Sequence, residues 1–193
     1  EKENNYASIG YEAKLKNARL HYFMSNFDLA KAHLDILKRS TSKEIANDAL
    51  ELSLFIETNT IGDSNEMGLK DYASISLLMY QNRFDEARNK LETLINTRLG
   101  HPIRDDSFWL LIKLETRLGK YKEAIKSLNI LINEYSDGVL GDDALFMKAQ
   151  ILEQQLNNPI EAQQVYQQFL ENFPGSAYAV EARRRYRFLR GDG

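Results

Sequence analysis

Apolar residues recur along this chain at the three- and four-residue spacing of an α-helix, and short polar turns interrupt the pattern at regular intervals. Four stretches align with one another: "SNFDLAKAHLDILKR" from Ser25, "NRFDEARNKLETLIN" from Asn82, "GKYKEAIKSLNILIN" from Gly119 and "NNPIEAQQVYQQFLEN" from Asn157. Anchored on Ala30, Ala87, Ala124 and Ala162, they carry Phe27, Phe84, Tyr121 or Pro159 three positions earlier. Leu34, Leu91, Leu128 or Tyr166 stands four positions later, and Leu37, Leu94, Leu131 or Phe169 seven later. Anchor, plus four and plus seven form one helix face, and the small anchor lets a neighbouring helix come close. Gly119 suits the left-handed residue that ends a helix, and Asn158 before Pro159 supplies an N-cap with a preset first helical position.

A second element precedes most of these hairpins: "EIANDALELSLF" from Glu44, "PIRDDSFWLLIK" from Pro102, "VLGDDALFMKAQ" from Val139 and, less perfectly, "AYAVEARRRYRF" from Ala177. Its small residues, Ala49, Ser107, Ala144 and Ala182, step by 58, 37 and 38, while the first set of anchors steps by 57, 37 and 38. Two markers thus give one period. A period in the mid-thirties built of helix pairs predicts an all-α solenoid, an α-α superhelix whose units bury their apolar faces against one another.

The pattern predicts about ten antiparallel helices, near 8–24, 27–39, 44–57, 67–81, 84–98, 105–118, 121–135, 142–156, 159–172 and 177–190, the last a C-terminal capping helix. Within one continuous solenoid, residues 1–57 read as a first hairpin plus closing helix and 67–193 as three stacked hairpins plus the cap. The small polar run "TNTIGDSNE" at 58–66 reads as the linker, hinge and first site of protease nicking.

Composition narrows the class without changing the fold. With 43% hydrophobic and 27% charged residues, three prolines and a net charge of −3, the chain is not of disordered type. No apolar run approaches the roughly 20 residues of a membrane helix. The chain begins with Glu1, so any leader is expected to lie outside it. The absence of cysteine excludes disulfides, thiolate zinc sites and cysteine nucleophiles.

Ala162, Tyr166, Phe169 and Pro174, with Ala149 one turn residue out of step, resemble the tetratricopeptide repeat. The other copies depart from its pattern, with Leu99 and Ser136 at the closing proline and Ile75 and Ile112 at the small position of the first helix. The stretch "YQQFLENFPGSAYAVEARRR" is further similar to C-terminal repeats of envelope-associated tetratricopeptide proteins of Gram-negative bacteria, of the outer-membrane assembly lipoprotein and cell-division coordinator types. That resemblance implies scaffolding of protein complexes, no catalysis, no cofactor and a periplasmic or cell-envelope setting, with the cytoplasm as the alternative.

The family's concave groove, carried over position by position, implies partner contacts from Tyr22, Tyr72, Ser76, Tyr80, Trp109, Lys113, Arg117, Phe146 and Gln150. Trp109, the only tryptophan, is the first candidate for a hot spot, and inter-repeat core is the competing reading for Trp109 and Phe146. Of the Lys, Asn and Arg clamp that binds chaperone tails, only Lys113 and Arg117 have counterparts.

Other candidate chemistry reduces to structure. The pairs Asp105–Asp106 and Asp142–Asp143 recur at one repeat position, where a helix starts and carboxylates accept orphan N–H groups, and this favours a capping role over catalysis or metal binding. His21 and His33 lie on adjoining helices without a third ligand, and no HExxH, Walker, GxGxxG or GxSxG pattern occurs. Residues 181–193 carry +3 on a body of −6. Ala179, Ala182, Tyr186 and Leu189 form a helical stripe to be buried, Glu181 can pair with Arg184 or Arg185, Ser176 can cap the helix, and Gly191 suits its stop. Arg183, Arg187 and Arg190 are left along a rim able to hold an acidic partner.

The expected function is a non-catalytic protein-interaction scaffold that grips a peptide or helix, with an architectural spacer as the alternative. Nucleic-acid binding through the arginine helix, and adhesion through Arg190-Gly191-Asp192, rank below both.

Overall fold

The computed structural model describes residues 2–40, 42–63, 65–135 and 138–192; Ser136 and Gly193, both used above, lie outside them. Ten helices follow in order: α1 (Lys2–Phe23), α2 (Phe27–Leu37), α3 (Lys43–Thr60), α4 (Met67–Tyr80), α5 (Phe84–Thr97), α6 (Ile103–Arg117), α7 (Tyr121–Glu134), α8 (Gly141–Gln154), α9 (Pro159–Asn172) and α10 (Ala179–Arg190). No strand occurs among the described residues. Two helices outrun their expected bounds by three residues or more. α1 begins near residue 2 rather than 8. α3 continues to Thr60, and along its last turn the Thr58 and Thr60 hydroxyls donate back to the Leu54 and Glu57 carbonyls at 2.9 and 3.0 Å.

The period is a packing period. All four anchors, Ala30, Ala87, Ala124 and Ala162, and all four small residues of the second element, Ala49, Ser107, Ala144 and Ala182, are 0% exposed. Ile75 and Ile112, which occupy the small position in their copies, are buried as well.

The turns repeat too. Five positions before each anchor, Ser25, Asn82, Gly119 and Asn157 take left-handed backbone, with φ of 59°, 57°, 69° and 49°. In the first three, the next N–H reaches back five residues, Asn26 to His21, Arg83 to Leu78 and Lys120 to Glu115, at 2.9, 2.9 and 2.8 Å. This is Schellman closure, and the residue that completes it is also the N-cap of the following helix. In the fourth turn Asn158 reaches back six residues, to Leu152 at 2.8 Å, which accommodates the extra residue expected there. The Asn158 side chain caps α9 by accepting the Glu161 N–H, with Pro159 in the first turn as expected.

Only glycine holds the left-handed region without penalty. A Cβ on Gly119 would meet nothing closer than the Tyr121 ring at 4.0 Å, so Gly119→Ala isolates the backbone cost. It is expected to destabilise by about 1 kcal/mol, and Ser25→Gly to stabilise by up to about 1 kcal/mol, in urea unfolding.

The chain divides into two compact units, Glu1–Arg104 and Asp105–Gly193. In the first, α1 packs on α2, α3 and α4, α3 on α2 and α4, and α4 on α5. The expected division at 58–66 therefore falls inside this unit. Aromatic contacts give the reason: Tyr72 of α4 lies 5.0 Å from Phe55 of α3, and Tyr80 of α4 lies 5.8 Å from Phe23 of α1, centroid to centroid.

The polar run is itself tied down. Asp63 accepts the Gly68 N–H at 3.0 Å and the Asn65 N–H at 3.3 Å, and its Oδ2 lies 3.3 Å from His101 Nε2. Because His101 Nδ1 accepts the Ile103 N–H at 3.0 Å, Nε2 carries the proton and donates to Asp63. The ring covers Gly68 so closely that an added Cβ would sit 2.6 Å from it.

The Gly68 N–H foremost, with His101 and the Asn65 N–H, holds the Asp63 carboxyl below the usual range in spite of burial. A carboxyl depressed on folding stabilises fully above its unfolded pKa of about 4, and the contribution fades as pH falls below that. Asp63→Asn is expected to lower stability most between about pH 6 and 8, where the charged carboxylate contributes fully, and so to flatten the acid limb of a stability–pH curve.

In the second unit α8 packs on α7 and α9, and α9 on α10. The buried Ser127 of α7 donates to buried Glu115 of α6 at 2.9 Å. Leu145, Phe146, Leu152, Val165, Tyr166 and Phe169 centre the core around α8 and α9, and Ala179 and Ala182 of α10 close it.

Candidate partner-binding surface

α6 sorts its residues by angle. Ser107, Phe108, Leu111, Ile112, Leu114 and Glu115 are buried. Trp109, Lys113 and Arg117, spaced i, i+4 and i+8, occupy the opposite face, Trp109 half-buried and the two cations exposed. The Lys113 ammonium lies 5.9 Å from the Trp109 ring centroid, a cation–π arrangement. A flat aromatic with a cation at its side can take an apolar side chain on the ring with polar groups around it.

The other expected groove residues divide. Gln150 of α8 is half-exposed, Tyr80 of α4 is 76% exposed, and Ser76 of α4 is half-buried with its hydroxyl donating to the Tyr72 carbonyl at 3.0 Å. Tyr22, Tyr72 and Phe146 are core, with exposures of 4%, 9% and 6%. Tyr22 is enclosed by Phe23, Phe27 and Phe55. Phe146 stacks on Tyr178 at 4.6 Å with planes 9° apart and also meets Tyr166 and Phe169. These three rings are taken up by packing against other rings of the core.

The acidic pairs lie in the first turns of α6 and α8, where Asp105 and Asp142 accept the N–H of the following residue at 2.8 and 2.9 Å. Burial pushes the Asp105 carboxyl upward against those bonds. The second pair does more than the sequence suggested: the Ser176 hydroxyl donates to Asp142 at 2.7 Å and the Tyr178 hydroxyl to Asp143 at 2.7 Å, latching the α9–α10 loop to α8. Ser176 is thus not the N-cap of α10, which is Tyr178; its oxygen accepts the Tyr178 N–H at 3.2 Å.

His21 and His33 stack at 5.3 Å, and among the described residues no group of three or more His, Cys, Asp or Glu could hold a metal ion. No helix of the described residues is long and apolar enough to cross a membrane.

On α10 the stripe Ala179, Ala182, Tyr186 and Leu189 packs inward as expected, and Gly191 ends the helix at φ 89°. Glu181 pairs with Arg184 at 2.6 Å, while Arg185 turns to Glu153 of α8, to which Tyr166 also donates at 3.0 Å. Burial first, then the Glu153 charge, pushes the Tyr166 hydroxyl upward. The sequence reading missed this triad because Glu153 and Arg185 stand 32 positions apart. Arg190 pairs with Asp192, and Arg183 and Arg187 are exposed.

Two family models, each described as tetratricopeptide repeat, match residues 72–139 and 143–176. The chain belongs to the tetratricopeptide repeat family. The crystal structure of a tetratricopeptide repeat protein from Parabacteroides merdae ATCC 43184 shares the fold with a TM-score of 0.55 at 19% identity. That match covers 94% of this chain and 60% of the other, so the chain spans about three fifths of that protein's length. A comparison with curated protein sequences gives no match. Tetratricopeptide repeats, a typically non-catalytic fold, suggest a protein-interaction scaffold and hence a protein partner.

Proposed function

We propose that this tetratricopeptide chain binds a protein segment on the face of α6 that carries Trp109, Lys113 and Arg117. The observation behind the reading is the contrast among the candidate aromatics. Tyr22, Tyr72 and Phe146 are consumed by core packing, whereas Trp109 leaves part of its ring open beside Lys113. Tryptophan and arginine are the side chains that most often carry binding energy, because one ring covers a large area and one guanidinium makes several directed bonds. The partner is expected to offer an apolar residue and, one helical turn away, a carboxylate or chain carbonyl. A role within a cell-envelope complex belongs to the same proposal and rests on the likeness of the last repeat to envelope tetratricopeptide proteins.

The test compares affinity capture by the chain and by Trp109→Ala from an extract of the source cells. Proteins retained by the former and lost, roughly tenfold or more, by the latter support the site. An identical set from both removes the α6 surface from consideration and favours the architectural spacer. The single tryptophan provides a second readout, since burial of its ring by a captured partner shifts its emission to shorter wavelength.

A further inference from the structure

A helix that only closes a repeat array has a polar outer face. That of α10 is polar only in part: Val180 and Phe188 on its outer side are 77% and 63% exposed. They stand at the two ends of a single stripe, Val180, Arg183, Arg184, Arg187 and Phe188, spaced i, i+3, i+4, i+7 and i+8, and with Asp192 they line a depression of about 460 Å³. The charges along the stripe are not equivalent. Arg184 is held by Glu181 and Arg190 by Asp192, while Arg183 and Arg187 meet no carboxylate among the described residues. Two open guanidinium groups one turn apart, about 6 Å along the axis, are bracketed by apolar side chains.

We propose that this outer face of α10 is a second docking site, independent of α6, for an acidic amphipathic protein segment. Two carboxylates one helical turn apart would meet Arg183 and Arg187, and apolar residues beyond them would cover Val180 and Phe188. Charge and apolarity together select this occupant. A nucleic acid would use only the charges. Two phosphate contacts give a log–log salt slope of only about −2, and Phe188 would stay exposed.

The test measures fluorescence anisotropy of a labelled helical peptide bearing two Glu one turn apart with Leu on either side on the same face, at low and moderate salt. The chain is expected to bind it and to bind poorly when Gln replaces Glu or Ser replaces Leu. Arg183→Ala with Arg187→Ala should weaken binding about tenfold, and Phe188→Ala roughly fivefold, with Trp109→Ala unchanged. Circular dichroism melts matching the parent chain show that these variants fold, as their exposure leads one to expect.

Equal binding of the Gln peptide overturns the proposal. So does loss on Trp109→Ala instead, which would assign the peptide to α6. Preferential binding of a single-stranded oligonucleotide, insensitive to Phe188→Ala, replaces it with a nucleic-acid surface. Self-association in sedimentation that disappears in the double arginine variant replaces it with a second copy of the chain.

Discussion

Phe169→Ala is expected to lower stability by about 4 kcal/mol, the usual cost of emptying a closed aromatic site. Phe169 is 0% exposed, and its ring lies 5.6 Å from Phe146 and 5.8 Å from Phe173. Phe146 is itself anchored by its stack on Tyr178, so the cavity cannot readily collapse from that side. Urea unfolding should show a lower midpoint with an unchanged slope. Phe188→Ala is the control within the same unit, since Phe188 is 63% exposed and its loss should move stability by less than about 0.5 kcal/mol. Similar values for the two variants would show that α9 is not the centre of this core.

Glu153→Ala is expected to cost about 3 kcal/mol, because removing one member of a largely buried ion pair leaves the other without its compensation. The Glu153 side chain is 7% exposed, Arg185 is 27% exposed, and the Tyr166 hydroxyl shares the carboxylate. Arg185→Met should cost at least as much although it retains an apolar stem over α8, since it strands Glu153, the more buried of the two charges. A double-mutant cycle over Glu153 and Arg185 measures the coupling directly, and additivity would show that α10 is held by its alanine stripe alone. The Tyr166 hydroxyl, pushed upward by burial and Glu153, should titrate at lower pH in Glu153→Ala, which ultraviolet absorbance of the phenolate would register.

The parts of this fold legible in the sequence were those set by near neighbours. An alanine with apolar residues four and seven positions on, and a turn residue five before, encode helix face, close approach and exit geometry within a dozen residues, so the period and all ten helices could be read. What escaped were contacts across the chain. The polar run at 58–66 resembled a linker because its restraint, His101, lies 38 positions from Asp63. Arg185 had an eligible partner one turn away in Glu181, and nothing local reveals that Glu153 offers a drier one. The candidate groove failed at Tyr22, Tyr72 and Phe146 because position in a repeat gives the helix, while the angle that separates core from surface depends on which rings the adjoining helices bring. Trp109 kept inter-repeat core as a competing reading because only Ser107 and Ile112 marked the buried side of its helix in the sequence.

The four hairpin turns bear on how such an array can change without losing its fold. Where the residue that completes one helix also starts the next, no spacer remains to absorb an inserted amino acid, and a length change there would rotate everything downstream. Between α8 and α9 the closing bond already spans one residue more. That junction already holds one residue more than the other three, and a residue inserted there should disturb the pairing of its neighbours least.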